Sequence, residues 1–392
     1  MTAPALSGAK AGAFGRPTRP CHITETKLPR DCNRVRVQSA LIAVAQPLSR
    51  EFIVFKTYTT RLALAGLVAV GSISAQAADI TGAGATFVYP VMSKWSADYS
   101  QATGSKINYQ SIGSGGGIAQ IKAGTVDFGS SDKPLDSKEL ADAGLGQFPS
   151  VIGGVVPVVN IKGIEAGKIQ FTGPLLADIF LGKINRWNDP QIVSINAGIT
   201  LPDAAITIVH RSDGSGTTFN WVNYLSKVSP EWKTKIGEGT SVQWPVGVGG
   251  KGNEGVAAYV KQIPGAIGYV ELAYAMQNKM TYGAVQNAAG KFVLPSRESF
   301  QAAAASADWK NAKDFYLIIT NAPGEASWPI AATNFILMYK QPKDAARSKN
   351  ALAFFKWALE NGKPQAEALD FVPLPDELVK QIEAYWAAEI KA

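Results

Sequence analysis

Ile206-Thr207-Ile208-Val209-His210-Arg211-Ser212-Asp213-Gly214-Ser215-Gly216-Thr217, running into Phe219-Asn220-Trp221-Val222-Asn223-Tyr224-Leu225, reads as a strand, a loose turn and a helix. The β-branched run suits a strand, and the closing stretch has a helical pattern. Between them, Gly214 and Gly216 let successive backbone N–H groups point at one spot. Ser215 and Thr217 add hydroxyl donors, and the helix start adds unsatisfied N–H groups and the positive end of its dipole. Arg211 contributes a forked cation matched to a tetrahedral oxyanion. The same letters also spell an ordinary Asp/Gly/Ser turn closed by a capping Thr. One copy does not choose between the two.

Two more turns share the design. Ile80-Thr81 leads into Gly82-Ala83-Gly84-Ala85-Thr86-Phe87 and a helix with Val91, Trp95 and Tyr99 on one face. Lys106 to Gln110 is a strand pattern, followed by Gly113-Ser114-Gly115-Gly116-Gly117 and a helix expected over 118–123. In open α/β sheets, ligands collect at the carboxyl ends of strands beside helix N-termini. Three such turns therefore point to an anion cleft. Val126 to Asp132 is a further strand, ending in Ser130-Ser131-Asp132. The runs Val151–Ile161 and Asn334–Tyr339 are apolar and read as two buried crossing strands. They predict two α/β lobes joined by a strand pair, with lobe one at 78–155 and 328–392 and lobe two at 156–327. Helices are expected at about 344–360 and 375–390.

The chain has 392 residues and a net charge of +7. That charge sits at one end, because residues 1–77 carry ten of the 38 basic and only three of the 31 acidic residues. The remainder holds 28 of each and is neutral, which removes the main argument for a nucleic-acid partner. Both cysteines, Cys21 and Cys32, lie in the same leader. Disulfides, thiol catalysis and cysteine metal sites are excluded beyond it.

Lys56 and Arg61 form a basic start, Leu62–Ile73 an apolar stretch, and Ala75-Gln76-Ala77 an A-x-A cleavage site before Ala78. The apolar stretch is too short for a stable membrane span, and no cysteine follows the cleavage point to carry a lipid. Residues 54–77 are thus expected to be a signal peptide, with the mature protein in the periplasm. Residues 1–53 do not suit an n-region. They are expected to be a mis-called start, with translation beginning near Val54.

Asp132 is the odd member of the set, since a carboxylate beside an anion cleft repels an anion. It reads either as a solvated turn acid before Lys133-Pro134 or as an obligate acceptor requiring a proton on the ligand. At this point a resemblance enters. The segments Thr81–Phe87, Ile112–Gly117, Val126–Asp132, Val151–Val156, Arg211–Thr217 and Gly265–Val270 resemble, in order, the phosphate-binding proteins of bacterial phosphate ABC importers. The resemblance runs from about residue 79 to the C-terminus and implies a two-lobed type II periplasmic binding protein fold with the ligand cleft between the lobes. It implies phosphate contacts at Thr86, Phe87 (through its backbone N–H), Ser114 and Asp132 from one lobe. From the other it implies Arg211, Ser215, Gly216 and Thr217, with Asp213 pairing the arginine. It also implies a monomeric carrier without cofactor or metal, docking on permease subunits driven by an ATPase.

Other readings compete. Gly247-Val248-Gly249-Gly250-Lys251-Gly252 matches G-x-G-x-x-G, with Glu271 at dinucleotide-fingerprint spacing. The preceding run is short and broken by Pro245, and an exported chain lacks a cofactor supply. A glycine loop for close helix packing is preferred, and Gly252 in place of Ser/Thr rules out a P-loop. An exported phosphate-ester hydrolase would use Ser215 with His210, the only histidine beyond the leader, but His210 is expected on the opposite strand face. No His/Cys/Asp/Glu cluster has metal spacing. Trp187, Trp244 and Trp328 read as packing rather than sugar platforms.

Overall fold

The computed structural model describes residues 79–392. The leader, with its signal-peptide and start-site expectations, lies outside the described residues. In chain order the first elements are β1 (Ile80–Gly84), α1 (Tyr89–Thr103), β2 (Ile107–Ser111), α2 (Ser114–Lys122), β3 (Phe128–Ser131), α3 (Ser137–Ala143) and β4 (Leu145–Val159). There follow β5 (Gln170–Phe171), α4 (Gly173–Phe180), α5 (Pro190–Ile195), β6 (Thr207–Arg211), α6 (Gly216–Val228), α7 (Pro230–Lys235) and β7 (Val248–Gly250). Next are α8 (Gly252–Gln262), β8 (Ala266–Glu271), α9 (Leu272–Gln277), β9 (Thr281–Tyr282), β10 (Ala284–Gln286), β11 (Phe292–Val293) and α10 (Arg297–Ala304). The chain closes with β12 (Ala331–Tyr339), α11 (Ala345–Asn361), α12 (Lys363–Glu367) and α13 (Asp376–Glu389).

Local chemistry accounts for the boundaries. Pro90 opens α1 and Gly104, at φ 78°, ends it in the left-handed conformation. Asp136 and Glu139 form a reciprocal capping box on α3, and the Asp344 carboxylate caps α11. One expectation is corrected: α2 begins at Ser114, not at residue 118. The glycines lie inside its first turn because a side chain there has no room. A Cβ on Gly117 would stand 2.5 Å from the Gly84 Cα. Packing against β1 thus outweighs the low helix propensity of glycine.

The main sheet runs β2-β1-β3-β12-β4-β8-β6-β7, with β9 on β4. β1 is parallel to β2 and β3, and β6 is parallel to β7 and β8. All fifteen residues of β4 are buried, as expected of a strand covered on both faces. Its residues up to Gly154 pair with β12, and from Val155 onward with β8. The return path lies beside it, because the Val155 N–H donates to Ile330 O at 2.9 Å immediately before β12. This is the predicted α/β architecture with one correction: the run Asn334–Tyr339 pairs only with residues 145–151 of β4 and with β3, so it does not cross, and the return crossing lies just before it at Ile330. Among the described residues no helix is long and apolar enough to cross a membrane.

Aromatic side chains lock the crossing. Trp328 is fully buried, donates its indole N–H to Val155 O at 3.0 Å and packs edge-on against Phe300. Trp187 is likewise buried and donates to Gly265 O. Both tryptophans are core, as expected. Trp328→Ala should cost about 3–5 kcal/mol through the cavity and the orphaned carbonyl. Urea unfolding checks this, and a loss below about 1 kcal/mol would show that the crossing does not depend on the indole.

Candidate functional site

The carboxyl ends of β1, β2, β3, β6 and β7 all face one place, each leading into a turn or a helix start. Thr86, Ser114, Asp132, Arg211, Ser215 and Thr217 are each no more than 4% exposed, although all are polar. Polar groups are buried together only where they satisfy one another or a ligand.

Arg211 ends β6, and its guanidinium is gripped by Asp213 through Nε–Oδ1 at 2.8 Å and Nη2–Oδ2 at 2.6 Å. Nη1 remains on the other edge and donates to Thr217 Oγ1 at 3.3 Å. Ser215, rather than a threonine, is the N-cap of α6, its Oγ accepting from the Thr218 N–H at 3.0 Å. The Phe219 N–H goes to Ser215 O. The first two N–H groups of the helix, on Gly216 and Thr217, therefore point out along its axis toward the cleft. Gly216 must be glycine, since a Cβ there would stand 2.6 Å from Asp132 Oδ2 and 2.4 Å from Ser114 Oγ.

From the other side, Ser114 opens α2 and accepts the Asp132 N–H at 3.1 Å. Phe87 is fully buried and its ring packs edge-on against Phe371, so only its backbone can serve a ligand. Asp132 is 2% exposed. Burial pushes its carboxyl up to about 7, against the opposing hydrogen bond from Asn334, the Arg211 charge and the Ser114 hydroxyl. Contacts between the two sets are direct. The Gly115 N–H donates to Gly214 O at 2.9 Å, and Asn220 Nδ2 donates to Asp132 O at 2.8 Å. Ser114, Asp132, Arg211, Asp213, Ser215, Gly216 and Thr217 are thus drawn into one constellation, which Thr86 joins through Asn253, while the structure shows no contact of the Phe87 N–H with it.

Three asparagines in it went unnoticed in the sequence. Asn220 bridges the two sets, and Asn334 donates to Asp132 Oδ1 at 2.8 Å. Asn253 has the widest reach, donating from Nδ2 to Thr86 Oγ1 at 2.7 Å and to Thr217 Oγ1 at 3.1 Å. Its backbone N–H also donates to Thr86 Oγ1 at 3.1 Å. With Arg211 Nη1 the fourth donor, each threonine hydroxyl already accepts two hydrogen bonds. Each hydroxyl's own proton is left free to be donated.

Asn253 directly follows the G-x-G-x-x-G segment. The preferred reading of that segment holds in its packing, since a Cβ on Gly250 would meet the Gly255 carbonyl carbon at 2.7 Å. It was incomplete, because the same strand-to-helix turn is a fourth wall of the site, with the Gly252 N–H donating to Asp213 Oδ1 at 3.0 Å. The signal available was the repeat of the strand, glycine turn and helix pattern. Glu271 is fully buried and caps α9 through the Ala273 N–H, so it is not poised over a ribose. His210 stacks on Trp244 at 4.8 Å, and its Nδ1 lies 3.0 Å from Arg211 O, while the Ser215 hydroxyl serves as the helix cap. The nucleophile–base pair a hydrolase needs is therefore not assembled by these two residues.

The arrangement suits a small, dehydrated tetrahedral oxyanion held by many N–H and O–H donors, with one carboxylate as an exception to the pattern. A family model described as a PBP superfamily domain matches residues 70–361. Phosphate-binding protein PstS of Xylella fastidiosa is 74% identical over 312 residues, covering 80% of this chain and 86% of that one. PstS of Pasteurella multocida is 55% identical over 329 residues, covering 84% and 96%. A solved phosphate-binding protein from Stenotrophomonas maltophilia shares the fold with a TM-score of 0.60 at 20% identity, over 78% of this chain and 93% of that one. The chain belongs to the PstS family of phosphate-binding proteins, within the periplasmic-binding-protein superfamily.

Proposed function

We propose that this chain binds inorganic phosphate in the periplasm and delivers it to an ABC importer. The observation that carries the reading is a carboxylate, Asp132, buried to 2% exposure among outward-pointing N–H and O–H donors. The family is a substrate-binding component rather than an enzyme, which fits the separate employment of Ser215 and His210. Thr86, Phe87, Ser114 and Asp132 would hold the anion from lobe one, and Arg211, Ser215, Gly216 and Thr217 from lobe two. Asp213 would hold the arginine. The pairing switch of β4 at Gly154–Val155 supports placing one lobe at 78–155 and 328–392 and the other at 156–327. The partners of this reading are two permease subunits with their ATPase, meeting a monomeric carrier. Nucleic acid has no place in it, and neither does a cofactor or metal. The leader sequence supports export by a cleavable signal peptide without a lipid anchor.

Affinity comes from exchanging a water shell for many charge-assisted hydrogen bonds, each worth about 1.5–3 kcal/mol net. Selectivity comes from Asp132. Sulfate carries no proton at neutral pH, so its oxygen would meet the carboxylate lone pair to lone pair. A site built on one required hydrogen bond rejects analogues lacking it by about 10⁴–10⁵-fold.

Three measurements test this reading. Asp132→Asn should lose most of the preference for phosphate over sulfate in isothermal titration at about pH 9, where a carboxyl pushed up to about 7 is ionised, and undiminished sulfate rejection would remove Asp132 from this role. Arg211→Ala should weaken phosphate binding by about ten- to a hundredfold, the worth of one charge-assisted contact, without abolishing it. Complete loss would mean that the charge, and not the hydrogen-bond cradle, holds the anion. Terminal sequencing of the exported protein should begin at Ala78, and a peptide from residues 1–50 found in cells would contradict the start-site expectation.

A further inference from the structure

We infer that Asn334 is a positioning residue that decides which oxygen of Asp132 meets the ligand and so sets the pH at which the site stops rejecting sulfate. The inference rests on the phosphate reading above.

Asn334 is fully buried in β12, at the point where the pairing register with β4 shifts between Asn334 and Phe335. The shift leaves Ser150 of β4 as the extra residue, unpaired between Pro149 and Val151, opposite Asn334 and Phe335. The orientation of the Asn334 amide is pinned, because Ser150 Oγ donates to Asn334 Oδ1 at 2.8 Å and Ser130 Oγ lies 3.1 Å from the same oxygen. Nδ2 is thereby left to donate to Asp132 Oδ1 at 2.8 Å and to Ser130 Oγ at 2.9 Å.

The consequence falls on the other carboxylate oxygen. Oδ1 is committed as an acceptor, so a proton taken up by Asp132 sits on Oδ2. That oxygen faces Gly216 and has a long 3.5 Å contact with Ser114 Oγ. The contact from Oδ2 to the ligand has room for one proton. When Asp132 is ionised, the ligand must bring it, and phosphate does. When Asp132 is neutral it supplies the proton itself, and fully deprotonated sulfate becomes an acceptable partner. No net proton is created: the carboxylic acid shares the proton it already carries.

The charged and titratable groups around Asp132 are few. Arg211 at the end of β6 favours its ionised form, with Asp213 offsetting part of that charge. Glu271 at the end of β8 and Tyr109 on β2 lie within electrostatic reach, and the neighbouring Lys133 is turned to Glu139. Burial pushes the carboxyl up to about 7, and the Asn334 hydrogen bond is the largest influence opposing it. Removing that donor raises the pH at which Asp132 takes up its proton.

Sulfate does not titrate in the neutral range, so its own affinity reports Asp132. Isothermal titration of the whole exported protein with sulfate, from about pH 5 to about pH 9, should show affinity that falls with rising pH above the midpoint of Asp132 proton uptake, near 7, and levels off below it. In Asn334→Ala that midpoint should move up by about one to two pH units, the worth of one hydrogen bond to a charged acceptor. A flat wild-type profile, or a variant profile superimposed on the wild type, overturns the inference. A purely structural Asn334 would lower stability without moving the midpoint. Should Asn334→Ala not fold, Ser150→Ala leaves the amide in place with one restraint fewer. It should shift the midpoint less in the same direction, and a superimposed profile overturns the inference there too. Phosphate titrations of the wild type separate the two levels of failure. Absence of phosphate binding removes the proposed function, whereas intact phosphate binding with an unmoved sulfate profile removes only the role of Asn334.

Discussion

A carboxylate excluded from water in the middle of an anion cradle is the constraint on which the rest of this site depends. Burying an ionised carboxylate is costly unless hydrogen bonds and charges offset it. Asp132 has its backbone N–H on Ser114, its backbone carbonyl on Asn220, and one carboxylate oxygen on Asn334. Each of those partners stands on a different element, α2, α6 and β12. Asp132 therefore ties the two sets of strands together through its backbone carbonyl, with its carboxylate held in place by Asn334. Gly216 follows from the same constraint, because the first turn of α6 comes so close to Asp132 that no Cβ fits between them.

Around that acid, charge is kept low and donors are kept many. Asp213 takes the Nε–Nη2 edge of Arg211 and leaves Nη1 turned to Thr217. The cation is thus oriented and partly neutralised, and the cradle does not become a general trap for anions. Asn253 acts on the hydroxyls in a related way, occupying acceptor positions of Thr86 and Thr217 so that both protons are left free to be donated. Of these bonds, the one to Thr86 joins the two sets of strands. The contacts between Gly115 and Gly214 and between Asn220 and Asp132 do so as well. Each is worth only about 0.5–1.5 kcal/mol net.

Legibility in the sequence followed the range of the interaction. The strand-to-helix turns were readable because a β-branched run, glycines and a helical pattern are all local. The crossing strand was readable because a strand buried on both faces has no polar alternation. The start of α2 was misplaced by four residues, since the glycines of its first turn are there to pass β1 closely and not to end a helix. Asn334 and Asn253 gave no local signal at all. One reaches Asp132 across 202 residues of chain, and the other reaches Thr86 across 167. An asparagine in an apolar strand and one after a glycine turn look alike whether they face solvent, a cap or a binding site.

The sequence by itself determined that strands end in donor-rich turns, that Arg211 has an acid two residues away, and that the body of the chain is neutral while its leader is basic. Backbone propensity and composition carry these facts, and they do not depend on what packs against what. Tertiary structure alone decided that four turns converge, that Asp132 is buried rather than solvated, and which of its oxygens is already engaged. Burial and hydrogen-bond partnership are properties of neighbours brought together by folding, and in this chain the decisive neighbours lie on different strands and helices. The same carboxylate in the same tripeptide would otherwise be an ordinary turn acid with an ordinary affinity for protons.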